Sequence, residues 1–515
     1  MITKNIGVLI AYSLSKHIIF DDLIGKYCKG CNLLPQNGTT DNSTSMQTRS
    51  IPISHAVLTG LYVLFDGLWI VLSGAICYYL IFDFSVTNSK IYLSAILFIL
   101  FCSWFLSHFA SLYTFETFIN PVQNILKFIV VLGTAFCLFV AIAFSLDVTD
   151  YFNKTWVYYF IGSSSFLVLG GRLVGYYVIR FMAKKKIFAR NIIIVGSDKR
   201  AEMLIEKIEN EYPKLNNIVG VFDDRIERTG PDVCGYPVLG NLDQLRRYIR
   251  NNKIDDVIIT LPWSADNRLY EIARKLRELP VHIYLSSDLV GFRIPYKPST
   301  NHFVGIPMIE VVKTPFSDWM IFIKKIEDIV FSIMALTIFG PIMLIIAAVI
   351  WLESPGPVIF RQQRYGFNNK IFEIYKFRSM THNLETEEKT KQAVKNDPRV
   401  TRVGKFIRKT SLDELPQIFN VLNGSMSLVG PRPHAVDHNE DYAKVIDGYF
   451  ARHRVKPGIT GWAQINGFRG ITDTVDKMES RVKYDVYYAE NWSLFFDLQI
   501  LLGTIFVGFI NKNSV

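Results

Sequence analysis

Long apolar runs dominate the first third of the chain. Four of them, each about 20 residues or longer, cover Ala56–Phe82, Ile91–Tyr113, Ile125–Phe144 and Trp156–Ile179. A helix needs roughly 20 apolar residues to cross the hydrocarbon core of a bilayer. The pattern therefore predicts a membrane α-helical bundle of four transmembrane helices within residues 52–182.

Polar residues interrupt these runs at Asp66, His108, Lys127 and Arg172. Such residues can line a transport pathway, but near helix ends, or facing neighbouring helices, they need no such role. We adopt the second interpretation, because four spans would form only a small pathway. The segment RFMAKKKIFAR after the fourth run is basic, which places this end of the bundle in the cytoplasm.

Residues 183–315 have a different pattern, in which short apolar runs alternate with amphipathic stretches. The runs NIIIVG, NIVGVF, DDVIITLP and VHIYLSS are typical of buried parallel strands, so we expect a Rossmann-like α/β domain. The first strand is followed by VGSDKRA, which has one glycine at Gly196. Because the dinucleotide fingerprint requires three glycines, the fold is predicted without a bound dinucleotide.

A fifth apolar run, Ile329–Leu352, has Gly340 and Pro341 at its middle and basic residues on both flanks. Proline removes a backbone hydrogen bond and bends a helix, and basic flanks favour the same side of the membrane for both ends. We therefore predict a re-entrant hairpin that bends at Pro341, with a kinked spanning helix as the alternative. The last apolar segment, Trp492–Ile510, is predicted to be an interfacial helix with Trp492 at the level of the lipid headgroups.

Composition and net charge add further expectations about the N-terminal residues and about binding partners. Residues 1–51 end in a stretch rich in Asn, Ser and Thr, which predicts disorder, and their single CxxC pair, Cys28 and Cys31, lacks the four ligands of a structural zinc site. The net charge of +10 suits anionic headgroups or a phosphorylated substrate. Nucleic acid is not expected as a partner, because the basic residues are not interleaved with a recognisable binding fold.

The C-terminal region, residues 316–515, carries basic residues in stretches rich in Gly, Pro and polar residues. The candidates are Arg361, Arg364, Lys376, Arg378, Arg408, Arg432 and Arg454. A single arginine is usually a solvated surface residue. Several such clusters favour recognition of phosphate oxygens, because the guanidinium group offers a rigid fork of donors.

Two adjacent acids, Asp413 and Glu414, lie in the stretch KTSLDELPQ. One interpretation is a capping box, with Ser411 as the N-cap of a helix. The other is catalytic: a helix N-terminus lowers the pKa of a carboxylate and attracts phosphate, so Asp413 could attack phosphorus. The two carboxylates could also hold Mg²⁺. The local pattern alone leaves both interpretations open.

Two longer motifs, KTSLDELPQIFNVLNGSMSLVGPRP and RVKPGITGWAQINGFRG, resemble the signature of bacterial polyprenyl glycosylphosphotransferases, the monotopic phosphoglycosyl transferases. The resemblance covers about residues 52–515. The tail RVKYDVYYAENWS is most similar to undecaprenyl-phosphate glucose phosphotransferases, which start colanic-acid-like exopolysaccharides.

The resemblance implies transfer of a sugar-1-phosphate from a UDP-sugar to undecaprenyl phosphate, with release of UMP. Glucose is the first choice, with galactose or an N-acetylated sugar as alternatives. The family mechanism is ping-pong through a phosphosugar on Asp413, with Glu414 as a base toward the lipid phosphate or as a ligand placing Mg²⁺. The basic candidates would bind the phosphates, Lys376, Arg378 and Arg432 foremost.

The resemblance also implies a setting. The protein would be a multi-pass protein of the bacterial inner membrane, in contact with its lipids, with the catalytic domain on the cytoplasmic face. It would perform the first membrane step of exopolysaccharide, capsule or O-antigen assembly. Family analogy also allows a homodimer through the α/β domain. The competing hypothesis from another class is a ligand-sensing membrane protein, which would release no UMP.

Overall fold

The computed structural model describes residues 54–82, 89–113, 117, 121–184, 189–211, 216–225, 230–262, 264–286, 302–303, 306–381, 397–434, 442, 445–446, 448–468 and 474–510. The predicted disordered extension, with Cys28 and Cys31, lies outside these residues. So do Lys185 and Lys186 of the basic segment after the fourth apolar run.

Four long helices form a bundle near the start of the described chain. They are α1 (His55–Phe82), α2 (Ser89–Phe109), α3 (Pro121–Ser145) and α4 (Lys154–Lys184). Each is long and apolar enough to cross a membrane. Aromatic residues such as Trp156 and Phe160 fill the centre, while Leu80 and Phe109 are exposed on the outside. A bundle that is apolar outside as well as inside suits a lipid environment.

The polar residues in these helices lie near helix ends or face neighbouring helices, as expected from the sequence. Arg172 and Asp66 form a buried ion pair at 2.5 Å between α4 and α1. The Arg172 guanidinium also lies 3.7 Å from the centre of the Phe128 ring. His108 lies in the last turn of α2, and Lys127 is an exposed residue near the start of α3. These contacts support a packing role for the pair, because each charge is neutralised inside the bundle.

An eight-stranded sheet follows the bundle. Its strands are β1 (Arg190–Val195), β2 (Asn216–Phe222), β3 (Asp232–Val233), β4 (Tyr236–Gly240), β5 (Asp256–Ile259), β6 (His282–Ser286), β7 (His302–Phe303) and β8 (Ile306–Val312). The order is β3-β4-β2-β1-β5-β6-β8-β7, and the central strands from β4 to β6 are parallel. The helices are α5 (Lys199–Glu211), α6 (Leu242–Asn251) and α7 (Asp266–Leu276). The predicted α/β domain is therefore confirmed.

A single helix, α8 (Asp318–Glu353), contains the fifth apolar run and continues through Pro341. Directly before the apolar run, Asp328 accepts hydrogen bonds from the Ser427 hydroxyl (2.9 Å) and the Leu428 amide (3.0 Å). Directly after the helix, the backbone carbonyl of Ser354 accepts a hydrogen bond from Arg378 at 2.6 Å. Both flanks of the apolar run in α8 therefore contact the same C-terminal region.

The C-terminal region consists of short elements. The strands are β9 (Ile359–Tyr365), β10 (Ile371–Phe377), β11 (Ser427–Val429) and β12 (Gly458–Thr460), and the helices are α9 (Arg402–Lys409), α10 (Gln417–Leu422), α11 (Trp462–Ile465), α12 (Val475–Glu490) and α13 (Leu494–Ile510). Strands β9 and β10 form an antiparallel hairpin, and β11 pairs with β12 in parallel. At the latter pair, a Cβ on Gly458 would lie 2.1 Å from the Gly430 nitrogen, so only glycine permits this approach.

The predicted place of Trp492 at the headgroups is wrong. Its side chain is buried, and its indole N–H donates to Asp497 at 2.8 Å. Asp497 is fully buried and also accepts from Tyr488 (2.8 Å) and Lys324 (2.7 Å). Because this carboxylate satisfies the indole inside the protein, Trp492 needs no lipid headgroup. The exposed apolar residues of α13 include Phe495, which is 81% exposed.

Candidate active site

The β9–β10 hairpin presents its cations on two faces. The register pairs Arg361 with Tyr375, and side chains alternate along a strand, so Arg364 and Lys376 share the opposite face. Arg361 is exposed, lies over the Tyr375 ring and is 3.7 Å from Glu373. The hairpin therefore directs Arg364 and Lys376 toward one cleft and Arg361 away from it.

That cleft lies between the hairpin and the segments that follow it. Its wall is formed by Arg364, Ile374, Lys376, Gln417, Arg432 and Pro433. Its cavity is about 40 Å³ and is open to solvent. Because most of its polar wall is cationic, an anion is the favoured occupant.

Ser411 does not cap a helix as predicted. Its backbone is left-handed (φ 59°), its side chain makes no capping hydrogen bond, and its N–H donates to the Arg408 carbonyl at 3.2 Å. Ser411 thus ends α9 and starts a single 3-10 turn, Leu412–Glu414, while the next α-helix begins only at Gln417. The capping-box interpretation is wrong, because the turn after Ser411 is too short to form the predicted helix end.

Glu414 is clamped by two cations. One of its oxygens accepts from Arg432 (2.6 Å) and Lys376 (2.8 Å), and the other accepts from Arg432 at 3.2 Å. Burial alone would raise the pKa of Glu414, but Arg432 and Lys376 outweigh it and hold the pKa well below its usual range. Glu414 is therefore an ionised carboxylate and a poor base.

Asp413 differs from its neighbour. Across the part of the chain that the structure describes, its side chain makes no hydrogen bond and no ion pair. Burial raises the pKa of Asp413, and Glu414 adds to this, while Lys376, Arg408 and Arg432 oppose it. The expectation that a helix end would lower this pKa is wrong, because the 3-10 turn supplies no such end. The oxygens of Asp413 remain available to a ligand or an electrophile.

The remaining basic candidates make different contacts: Arg408 lies near Asp413, whereas Arg378 and Arg454 donate to backbone carbonyls. Arg408 donates to the Ser379 hydroxyl at 2.8 Å and lies close enough to Asp413 to lower its pKa. Arg378 is buried and donates to the carbonyls at the end of α8, so its phosphate role is not supported. A helix C-terminus leaves carbonyls unpaired, and Arg378 satisfies them. Arg454 donates to the Lys313 carbonyl, also outside the wall of the cleft.

Further charged residues lie behind Arg432, and two of them, Arg481 and Asp485, were not identified from the sequence. Arg452 is buried, donates to the Arg432 carbonyl (2.7 Å) and forms an ion pair with Asp485 (2.8 Å). Arg481 on α12 is 4% exposed, and burial together with Arg452 lowers its pKa to about 10. Arg481 and Asp485 lie on the buried face of α12 with Val482. Charges at an i,i+4 spacing within an apolar stripe are the signal that could have identified them.

The site provides limited support for a metal ion. Among the described residues, no group of three or more His, Cys, Asp or Glu side chains could hold one. Both oxygens of Glu414 are engaged by cations, so the predicted Asp413–Glu414 pair is not a ready ligand set. Mg²⁺ often binds through one carboxylate and substrate phosphates. Asp413, whose oxygens are not engaged among the described residues, could provide that one carboxylate.

Two family models match parts of the chain. A family model described as a bacterial sugar transferase matches residues 319–511, and another described as a CoA-binding domain matches residues 108–287. The first range contains all of the cleft and both acids.

Three relatives are similar over most of their length. The UDP-glucose:undecaprenyl-phosphate glucose-1-phosphate transferase of Escherichia coli (strain K12) is 43% identical over 63% of this chain and 68% of the relative. The protein of the same name from Xanthomonas campestris pv. campestris is 37% identical over 74% of this chain and 80% of the relative. The undecaprenyl-phosphate galactose phosphotransferase of Salmonella typhimurium (strain LT2) is 34% identical over 62% and 68%.

The contrast between the two acids predicts opposite effects on stability. Asp413→Asn is expected to stabilise the ligand-free protein at neutral pH, because it removes a charge that burial disfavours. Glu414→Gln should destabilise it by about 3 kcal/mol, because it leaves Arg432 and Lys376 without their partner. The measurement is the unfolding midpoint of the detergent-solubilised protein.

The pH dependence of these effects follows from the direction of each pKa shift. Glu414 has a lowered pKa in the folded protein, so its stabilisation is lost as the pH falls below its ordinary value of 4.5. Asp413 has a raised pKa, so the gain from Asp413→Asn shrinks as acid protonates the wild-type carboxylate. Equal destabilisation by the two substitutions at neutral pH would contradict the assignment.

Proposed function

The chain belongs to the bacterial sugar transferases that act as polyprenyl glycosylphosphotransferases, and we propose that it transfers glucose-1-phosphate from UDP-glucose to undecaprenyl phosphate and releases UMP. The observation that carries the proposal is the contrast in the acid pair. Asp413 has available oxygens beside a cationic cleft, whereas Glu414 is occupied by Arg432 and Lys376. The glucose assignment rests on the names of the Escherichia coli and Xanthomonas relatives.

The cleft suits the diphosphate of a sugar nucleotide. Arg364, Lys376 and Arg432 converge on it, and burial together with Arg432 lowers the pKa of Arg364 to about 10. Burial is the larger cause of this shift, and the nearby Arg432 adds to it while Glu414 opposes it. A bound diphosphate would stabilise the charged form of Arg364 and accept charge-assisted hydrogen bonds from the cations of the cleft.

The covalent step follows from the position of Asp413. A carboxylate oxygen of Asp413 would attack the phosphorus that carries the glucose, and the bond between the two phosphates would break, with UMP leaving. An oxygen of undecaprenyl phosphate would then attack the same phosphorus and release Asp413. This phosphate has a second pKa of about 6, so near neutral pH it needs little help from a base.

Glu414 has a different role in this scheme from the base suggested by the sequence. Its pKa lies well below the usual range, so it would remain ionised throughout. Its contacts with Arg432 and Lys376 would hold both cations in the geometry that the phosphates require. Glu414 is thus proposed as a positioning residue.

Magnesium is proposed as the cofactor, held by Asp413 and by phosphate oxygens of the donor. It would neutralise charge on the diphosphate and ease departure of the nucleotide. Glu414 is not proposed as a ligand, because Arg432 and Lys376 occupy its oxygens.

The membrane topology is proposed to be four transmembrane helices and a re-entrant α8. In a helix that crosses the bilayer, the two ends lie on opposite sides. Here Asp328 and Ser354 both contact the polar C-terminal region, which cannot extend across the hydrocarbon core. Pro341 lies between these contacts. The catalytic region would then lie at the cytoplasmic face of the inner membrane, where lipid phosphate and nucleotide sugar can meet.

A second sugar deserves a direct comparison. The Salmonella relative is named for galactose, and it is 34% identical. The same site could therefore act on UDP-galactose, with the reaction otherwise unchanged.

Asp413→Asn tests the covalent intermediate. Without undecaprenyl phosphate, the wild-type protein should exchange labelled UMP into UDP-glucose, because the first half-reaction is reversible on the enzyme. The variant should lose this exchange and UMP release by about three orders of magnitude or more. If the exchange of UMP requires undecaprenyl phosphate, the ping-pong order is contradicted. The choice of sugar is tested separately: faster turnover of UDP-galactose than of UDP-glucose would overturn the glucose assignment.

Arg364 and Arg361 form a matched pair on opposite faces of β9. Arg364→Gln should raise KM for UDP-glucose by about tenfold or more, because a charge-assisted hydrogen bond to phosphate is lost. Arg361→Gln, the same change on the outer face, should leave KM within about twofold. Steady-state kinetics of both purified variants is the measurement, and equal effects would disprove the assignment of faces.

Single cysteines test the re-entrant helix, in a background without the native cysteines. Asp318→Cys and Glu353→Cys, at the two ends of α8, should both react with an impermeant maleimide from the cytoplasmic side only. Asp150→Cys, between α3 and α4, should react from the opposite side and serves as the control. Labelling of Asp318→Cys and Glu353→Cys from different sides would establish a spanning helix instead.

A further inference from the structure

Gln417 is a buried residue whose side-chain amide nitrogen has no hydrogen-bond partner among the described residues. It is the first residue of α10 and is 1% exposed, and its amide makes no hydrogen bond to any described residue. Leaving a buried amide unpaired costs about as much free energy as losing a hydrogen bond. Native proteins rarely keep such a group without a ligand, a water or a functional reason.

Asn420, one turn later on the same helix, provides the contrast. Its side chain accepts from the Tyr375 amide (2.9 Å) and donates to the Glu373 carbonyl at 2.7 Å. Two buried amides thus lie on α10, and only one of them is used to hold the fold. The bonds of Asn420 also fix α10 against β10, the strand that carries Lys376. Gln417 is therefore held in a set position relative to that cation.

The position of Gln417 indicates what its partner is. It lines the same cleft as Arg364, Lys376 and Arg432. An occupant attracted by these cations is an anion, and phosphate oxygens are acceptors that an amide N–H can serve. A cation at this position, four residues after Asp413, could pair with that carboxylate. A neutral amide donor binds phosphate and leaves the Asp413 oxygens available.

We propose that Gln417 contacts the substrate, with its side-chain N–H donating to a non-bridging phosphate oxygen of the sugar nucleotide. This inference rests on the proposed function. It adds a neutral donor to the cations of the cleft, and it gives the last residue of the KTSLDELPQ stretch a role in binding.

The test measures binding without turnover. Asp413→Asn protein is the parent, and UDP-glucose affinity is measured by isothermal titration calorimetry. Adding Gln417→Met keeps the length and the buried apolar contacts but removes the amide. It should weaken binding by about tenfold or more. Gln417→Glu should weaken it at least as much, because the donor becomes an anionic acceptor.

Gln464→Met is the matched control. Gln464 is also buried, but its amide donates to the Ile459 carbonyl at 3.4 Å, and it lies outside the wall of the cleft. This substitution should leave the affinity for UDP-glucose unchanged. If both methionine variants weaken binding equally, the effect is general destabilisation and the inference is overturned.

The remaining outcomes are also decisive. If Gln417→Met binds as tightly as the parent while wild-type protein releases UMP, only the role of Gln417 fails. If the parent does not bind UDP-glucose at all, the proposed function and this inference fail together. If Gln417→Met does not fold, as judged by its unfolding midpoint, Gln417→Asn replaces it. Its shorter arm should still weaken binding by about tenfold, and unchanged affinity would overturn the inference.

Discussion

The ion pairs of Glu414 with Arg432 and Lys376 are the interaction on which the rest of the site depends. They join three segments that are distant in sequence: the end of β10, the 3-10 turn and the loop after β11. A buried carboxylate is stable only when charge and hydrogen bonds compensate its desolvation, and here both oxygens are compensated. Because Glu414 takes these partners, Asp413 is left with none in the described chain. The different roles of the two adjacent acids therefore follow from the ion pairs of Glu414 with Arg432 and Lys376, here called the Glu414 clamp.

The surroundings of the clamp carry more positive than negative charge. The cations Arg364, Lys376, Arg432, Arg452 and Arg481 face the carboxylates Asp413, Glu414 and Asp485. Burial lowers the pKa values of Arg364 and Arg481 to about 10, and a neighbouring arginine adds to each shift. A bound anion would oppose both effects, because it would favour the charged form of each arginine.

Secondary structure that follows a periodic pattern of apolar residues could be predicted from the sequence. The contacts of individual polar side chains could not, because they depend on how the chain folds. The apolar runs and short strands identified the bundle and the parallel sheet, because burial imposes a repeating pattern. Ser411 was misinterpreted, since a capping box and a left-handed helix end share the same residue types.

The arginines and Trp492 show the same limit. The neighbouring sequence does not distinguish Arg378, which donates to the Ser354 carbonyl at the end of α8, from Arg364, which lines the cleft. The indole of Trp492 bonds to Asp497, five residues later, and the amide nitrogen of Gln417 has no partner among the described residues. Their roles could be read only from the assembled structure.

Helix α8 contacts the two segments that carry Lys376 and Arg432, the cations of the Glu414 clamp. Arg378, two residues after Lys376, donates to the Ser354 carbonyl at one end of the helix. Before the apolar run of the helix, Asp328 accepts from the Leu428 amide, and the chain from Leu428 leads through the close contact at Gly430 to Arg432. Both cations of Glu414 are thus a few residues from a contact with the same helix. In the proposed re-entrant topology, this helix would set the depth of the lipid phosphate and the position of these cations together.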